Sequence, residues 1–322
     1  FIENKIMKPL EMKNSAASFL RLKDTTNIID PHVPTDGKLK VISRYKNQTF
    51  DAAAGIYSSV NDMSKWMIAQ LQQGKYGSEK QFKLFSEAQH NEMWQLQTII
   101  PTKTREPYFT HFSGYGLGWF LSDVKGYKQV THTGGLEGIV TQVTLIPELN
   151  LGIVVLTNQQ SGAAFNAITN TIKDAYLKIE YKDYVTLYSQ REKNNIAEAD
   201  KVTTEVWAKI TENQKNKVKV ETKNYIGIYK DNWFGNIIIS EKKGKMYFQS
   251  ARSPQLAGEI FFYKDNTFAV KWNNRSFNAD AFITFSENNT QIKMAAISEL
   301  TDFSYDFQDL EFKKIDRSNV NN

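Results

Sequence analysis

The sequence contains no cysteine. That absence excludes disulfides, thiol nucleophiles and cysteine-based zinc sites, and it leaves the compartment open, because cytosolic and periplasmic proteins alike can lack the residue. Long apolar runs are also missing. The longest, Leu151–Leu156 (LGIVVL), falls far short of the ~20 residues that span a bilayer, so no membrane helix is expected. Nor does one sign of charge dominate: 40 basic residues against 35 acidic ones leave +5. Lys-rich stretches such as Lys215–Lys219 (KNKVK) have acids nearby and no interleaved aromatics. A nucleic-acid groove needs a concentrated basic face, so no nucleic-acid partner is expected. Histidine is scarce, at four residues. His32, His90 and His111 are too scattered, without ligand-spaced partners, to build a metal site, and no cofactor is expected.

What is present is core material. The 322 residues are 41% apolar and 13% aromatic, enough for two domains or one large domain with an appendage, and too much for global disorder. Ile2, Ile6 and Leu10 recur at four-residue spacing, one face of a helix that begins at once with no Ser, Thr, Asp or Asn cap before it. That pattern suggests a C-terminal portion of a longer protein. A polar stretch follows to about Asn47, with Asp30-Pro31, Pro34 and Asp36-Gly37 as loop punctuation. Ser59 then precedes an apolar-periodic run, Val60–Leu71, with Asp62 as an acidic variant of the capping box and Gly74 closing the helix. Ser86-Glu87-Ala88-Gln89 opens a second helix through Met93, Trp94 and Leu96, so residues 58–97 are expected to form a small helical layer.

From Tyr115 the period changes. Tyr115–Leu121, Tyr127–Thr133, Ile139–Ile146 and Leu151–Thr157 are expected as four strands, and connections this short demand antiparallel neighbours. Residues 161–179 read as a covering helix with Phe165, Ile168, Ile172, Ala175 and Ile179 on one face. The fold class is therefore α+β, an antiparallel sheet with covering helices. Residues 181–222 are highly charged and read as a helical linker. Beyond them, strand-like runs recur roughly every ten residues: Tyr225–Tyr229, Asn236–Ser240, Met246–Ser250, Ile260–Tyr263, Thr267–Trp272, Ala281–Phe285, Gln291–Ile297 and Leu310–Ile315. Such spacing argues for a small all-β barrel or sandwich. The expected division is residues 1–180, a linker over 181–222, and a β domain over 223–315.

Tyr115–Trp119 (YGLGW), His132-Thr133-Gly134-Gly135 and Leu156-Thr157-Asn158 carry the chemistry. Glycines after a strand let a substrate approach the backbone and leave N–H groups free to stabilise an oxyanion. A histidine beside a threonine hydroxyl can hold an anionic group. With Met7–Met12 (MKPLEM) and Ala53–Met63 (AAGIYSSVNDM) ahead of them in order, these motifs resemble the serine β-lactamase and penicillin-binding-protein superfamily, in its class C and D-alanyl-D-alanine carboxypeptidase branch. The resemblance covers residues 1 to about 180. Arg252–Gly258 (RSPQLAG) and Thr301–Phe307 (TDFSYDF) are similar to a C-terminal, lipocalin-like β domain that trails some of these hydrolases. The resemblance implies a β-lactamase/transpeptidase-like fold with its N-terminal part missing. It also implies acyl transfer at amide or ester carbonyls of a small-molecule or peptide substrate, and a periplasmic or cell-envelope location. By that resemblance His132, Thr133 and Gly134 form the third motif, and the Gly135 N–H is one oxyanion donor.

The family's first motif, Ser-x-x-Lys, and its second, Tyr-x-Asn, are not found in place. Ser43-Arg44-Tyr45-Lys46, Ser122-Asp123-Val124-Lys125 and Ser240-Glu241-Lys242-Lys243 have the first spacing, but chance predicts about two such matches in this composition. None is expected at a helix N-terminus, where one turn would set the lysine beside the serine. Tyr45-Lys46-Asn47 and Ser59-Val60-Asn61 mimic the second motif, too far along the chain, and read as a loop tyrosine and a helix cap. The nucleophile and its lysine are thus absent, and this chain alone is expected to be inactive. A catalytically dead relative that binds cell-wall peptides is the competing expectation. His111 is a residue that could line the cleft, and Glu137 reads as a solvated turn acid. Trp233, Phe248, Phe261, Phe262, Trp272 and Phe285 are expected to fill the barrel core.

Overall fold

Two serine caps, a run of short alternating strands and a set of glycine turns determine most of what folds. The computed structural model describes residues 1–35, 38–46, 49, 51–277, 279–301 and 305–316. The Asp36-Gly37 turn, Asn47 of the second-motif mimic and Asp302-Phe303-Ser304 of the C-terminal match lie outside the described residues. The chain divides into two units, Phe1–Val33 with Leu39–Gln190, and Pro34–Lys38 with Arg191–Asn322.

The chain opens on a π-helical turn, Glu3–Met7, in which Lys8 N–H donates to Glu3 O and Met12 N–H to Met7 O. The four-residue spacing implied an α-helix, but the wider turn brings Met7 inward beside Leu10 and Met12, against Ala69. Two short strands, β1 (His32–Thr35) and β2 (Lys38–Val41), and a single turn, α1 (Asp51–Ala54), follow. Helix α2 (Val60–Leu71) starts where Ser59 Oγ accepts the Asp62 N–H at 3.3 Å. The return half of the expected capping box is not made. The Asp62 carboxylate, shorter than the glutamate of a full box, instead accepts from Asn14 N–H at 2.7 Å and Ser15 Oγ at 2.8 Å. At the other end Gly74, with φ +86°, donates its N–H to Ala69 O.

A two-stranded ribbon, β3 (Lys75–Tyr76) with β4 (Phe82–Lys83), interrupts the layer expected to be helical throughout. Helix α3 (Glu87–Met93) has the complete box: Gln89 N–H donates to Ser86 Oγ at 3.2 Å, and Ser86 N–H donates to Gln89 Oε1 at 3.0 Å.

The sheet consists of β5 (Thr98–Ile99), β6 (Ser113–Tyr115), β7 (Phe120–Val124), β8 (Tyr127–Leu136), β9 (Ile139–Ile146) and β10 (Leu151–Leu156), in the order β10-β9-β8-β7-β6-β5 with antiparallel neighbours. The run Tyr115–Leu121, expected as one strand, is a hairpin corner. Gly116 N–H donates to Trp119 O, and Gly118 takes φ +81°, which a glycine reaches without a Cβ clash. One face of the sheet packs Leu121, Val130 and Leu145 against Met67 of α2 and against Trp94 and Trp119. The other packs Val124, Ile146, Ile153 and Val155 against Phe165 and Leu177, under helix α4 (Gly162–Tyr176).

The face that α4 buries is the expected one only in part: Phe165 is in the core, Ile172 and the following Ile179 pack against it, and polar residues join them. Ile168 is 46% exposed and Ala175 is exposed, whereas Phe165, Thr169, Lys173 and Asp174 are buried. The polar residues go inside because partners meet them there, starting with Thr169 Oγ1, which donates to Gln142 Oε1 at 2.6 Å.

Helix α5 (Tyr184–Lys215) lies in the charged stretch, and its residues from Arg191 belong to the second unit. There Val206 and Ile210 pack on Ala269 and Ile297. The strands β11 (Gly227–Asp231), β12 (Gly235–Lys242), β13 (Lys245–Ser250), β14 (Ala257–Lys264), β15 (Thr267–Trp272), β16 (Ala281–Phe285), β17 (Gln291–Ala296) and β18 (Glu311–Ile315) form a closed antiparallel barrel. Closure comes from β11 pairing with both β12 and β18, for example Ile228 with Ile238 and with Ile315, so no strand edge is left open. Alternate side chains fill the interior: Tyr229, Ile237, Ile239, Phe248, Phe268, Trp272, Ile283 and Phe312 are all essentially inaccessible. Phe285 is buried as expected, while Phe261 and Phe262 are only partly buried, Phe261 meeting Trp207 of α5 edge-on. Trp233 departs fully from expectation and is 74% exposed. It sits in the β11–β12 turn, where the Asp231 carboxylate accepts the N–H groups of Trp233 and Phe234 and so fixes the backbone with the indole outside.

Candidate functional site

Strand β8 reads YKQVTHTGGL: β-branched residues hold it extended, and the glycines strip its last turns of side chains. His132, Thr133, Gly134 and Gly135 line one cavity of about 1410 Å³ in the first unit, with Tyr57, Ser58, Trp66 and Trp119 among its other walls. That is at or above the usual ~300–1,000 Å³ of a small-molecule cleft. Glycine is required at two points. A Cβ at Gly134 would stand 2.5 Å from Thr141 Oγ1, its cross-strand neighbour on β9. At Gly138, in the β8–β9 turn, φ is +77° and a Cβ would stand 2.7 Å from Pro31 Cβ.

The His132 ring is held at both nitrogens. Nδ1 lies 2.6 Å from the Thr133 carbonyl, and Nε2 lies 2.9 Å from the Tyr115 hydroxyl. A carbonyl only accepts, so Nδ1 carries a proton. Phe120 packs 5.6 Å from the ring. In the structure neither ring nitrogen of His132 is vacant. Its partner is the tyrosine of YGLGW, a motif whose sequence alone does not show that contact.

Other sequence candidates lie elsewhere. His111 donates to Asp123 at 3.1 Å and is outside the cavity lining. His32 Nδ1 meets the Asn158 carbonyl at 3.0 Å. His90 is buried beside Trp94, and burial pushes its pKa down. Glu137 sits in the β8–β9 turn. Ser43 lies in irregular chain, Ser122 on β7 and Ser240 on β12, so none opens a helix. The serines that do cap helices, Ser59, Ser86 and Ser161, have Asp62, Gln89 and Ala164 three residues on, and no lysine. Among the described residues no group of three His, Cys, Asp or Glu could hold a metal, and no helix is long and apolar enough to cross a membrane.

A second polar cluster went unread in the sequence. On the α4 side of the sheet, Lys173 Nζ stands 3.9 Å from the Tyr108 ring centroid and donates to Gln129 Oε1 at 3.2 Å. Asp174 accepts from Tyr108 Oη at 2.7 Å and from Tyr184 Oη. Burial pushes Lys173 down to about 8, Asp174 opposing, and burial pushes Tyr184 up to about 12.

Residues 1–178 match the family model described as Beta-lactamase. The chain belongs to the β-lactamase family. Its first unit is therefore a β-lactamase-like sheet with covering helices, and residues 212–314, which cover the barrel as far as Lys314, match a domain of unknown function, DUF3471. Among curated relatives in this family, the Unguisins hydrolase ungD' of Aspergillus campestris is 31% identical over 35% of this chain and 19% of its own length. The D-alanyl-D-alanine-carboxypeptidase/endopeptidase AmpH of Escherichia coli K12 is 27% identical over 48% of this chain and 40% of its own. The chain thus spans less than half the length of these relatives. A solved structure, the octameric penicillin-binding protein homologue from Pyrococcus abyssi, aligns over 97% of this chain and 59% of its own at 17% identity, with a TM-score of 0.48.

Proposed function

We propose that the cavity beside β8 is the substrate half of a serine-hydrolase cleft that works on amide or ester carbonyls, in β-lactams, D-amino-acid peptides or small esters. The observation that carries this reading is a glycine-ended strand, His132-Thr133-Gly134-Gly135, opening into a large cavity in a β-lactamase-family unit. The backbone N–H of Gly135 can meet a developing oxyanion because no side chain covers it. Thr133 Oγ1, with no hydrogen bond among the described residues, is free to contact substrate. The relatives named for hydrolase and carboxypeptidase activity support the class, and D-amino-acid peptides as substrates would suit a cell-envelope location.

Acyl transfer needs a serine activated by a lysine one helical turn away, and among the described residues no helix-capping serine has one. On this reading the 322-residue chain binds substrate but forms no acyl-enzyme. The same observation favours a second reading, a non-catalytic binder of cell-wall peptides. The test is incubation with a fluorescent penicillin, followed by intact mass and by amide spectra of residues 132–135. Reversible shifts at those amides with no added mass are the expected result. A stoichiometric adduct would give the chain its own nucleophile, and unmoved amides would end the cleft assignment.

A further inference from the structure

We propose that Tyr115 is a positioning residue for this cleft: its hydroxyl locks the His132 ring, and the ring in turn holds the peptide unit that leads into Gly134 and Gly135. The relay is three short links. Tyr115 Oη meets His132 Nε2 at 2.9 Å, and His132 Nδ1–H donates to the Thr133 carbonyl at 2.6 Å. The Thr133 carbonyl and the Gly134 N–H belong to one planar peptide, so holding the first orients the second. In the neutral ring a protonated Nδ1 leaves Nε2 as the acceptor, and the Tyr115 O–H is its donor. The tautomer is thereby the Nδ1–H form.

The surroundings make this a braced device. Tyr115 packs edge-on against Phe120 at 4.7 Å, and Phe120 also covers the His132 ring at 5.6 Å. Tyr115 ends β6 and Phe120 begins β7, the two sides of the YGLGW corner, and they are cross-strand partners. The corner therefore presents both the hydroxyl and the packing ring to β8. Tyr115 is outside the cavity lining whereas His132 is in it, so Tyr115 acts from behind. The glycines need such bracing. With no side chains of their own, Gly134 and Gly135 have the least intrinsic conformational restriction in the strand, and an oxyanion donor must be held to within tenths of an ångström. A consequence for specificity follows: His132 offers the cleft an oriented ring with both nitrogens already bonded, so a substrate carboxylate finds no vacant donor there. Substrates recognised through a neutral carbonyl suit this strand better than those that need an ion pair at His132. The specificity clause rests on the cleft reading above; the lock does not.

The experiment is histidine-selective 15N labelling of the full chain, with the four imidazoles assigned by single substitution, and long-range proton–nitrogen spectra at pH 8 where an imidazole is ordinarily neutral. The wild type is expected to show His132 as the Nδ1–H tautomer with a slowly exchanging Hδ1. In Tyr115→Phe the ring stacking is kept and the hydroxyl lost. Exchange of Hδ1 and of the Gly134 and Gly135 amides is then expected to accelerate about tenfold, while amides of β9 at Val143–Ile146 and of the barrel stay unchanged. An Nε2–H tautomer in the wild type would overturn the lock. Unchanged exchange in the variant, or loss of protection spread over β9, would overturn the positioning role. Because these readouts need no turnover, a chain that proves unable to bind penicillin leaves the lock testable.

Discussion

The barrel and the sheet unit solve the same problem with opposite economies. In the barrel every strand has two neighbours, the interior is packed with aromatic and branched aliphatic side chains, and the buried Trp272 indole is tied off locally, its Nε1–H donating to Ala279 O at 2.6 Å. The sheet unit instead has a large cavity, a strand that ends in bare glycine, and a buried lysine and carboxylate beneath a helix. Packing and a closed hydrogen-bond ladder stabilise the first. The second spends part of its stability on keeping backbone accessible, as functional regions generally must.

The sharpest way to break this contrast is to open the barrel core. Trp272→Ala removes an indole that is 1% exposed and packed against Phe248 at 5.2 Å, and should cost about 3–5 kcal/mol. Urea unfolding followed by barrel amides would show the loss; a cost under ~1 kcal/mol would mean the core is not the barrel's main support.

In the sheet unit the largest response should be to pH. Burial lowers Lys173 to about 8 from 10.5, so the unfolded chain binds more protons between those values and stability rises with pH across that window. The raised Tyr108 and Tyr184 act oppositely once unfolded tyrosines ionise above pH ~10. A gain of about 2 kcal/mol from pH 8 to 10, followed by decline, is expected, and Lys173→Met should flatten it. Urea midpoints read on β9 amides would settle the sign.

Smaller effects test the local devices. Gly138→Ala forces a Cβ to φ +77° and against Pro31, at about 1–2 kcal/mol. It should displace the β8–β9 turn in amide spectra. Ser86→Ala removes a complete capping box at about 1 kcal/mol, readable as faster exchange at the start of α3. Trp233→Ser, by contrast, should change the barrel midpoint by less than ~0.5 kcal/mol, because the indole lies outside; a larger loss would restore the view that it belongs to the core.

The eight barrel strands, the capped helices and the antiparallel meander were readable because alternation, caps and turn residues are local signals. Those elements fold within a few residues of where the pattern put them, except Tyr115–Leu121, which is the corner between β6 and β7 and not a strand. What went astray was non-local. The buried face of α4 widened to take in Thr169 and Lys173 because Gln142 and Gln129 offer them partners, which no helical periodicity encodes. Asp62 left its capping box for a loop 48 residues away, and Trp233 stayed outside because Asp231 holds its turn. At the cleft, His132, Thr133, Gly134 and Gly135 could be singled out from their order and chemistry, while Tyr115 remained a motif letter.

By itself, then, the sequence determined the class of fold, the strands of the β domain and the glycine strand. Each follows from short-range conformational preference and from the need to bury alternate apolar residues. Which polar groups meet, and hence that His132 is pinned from both sides, was decided by the tertiary structure alone. Hydrogen bonds across strands depend on register and on the corner at YGLGW, and a buried donor goes to whichever acceptor the packing places within reach.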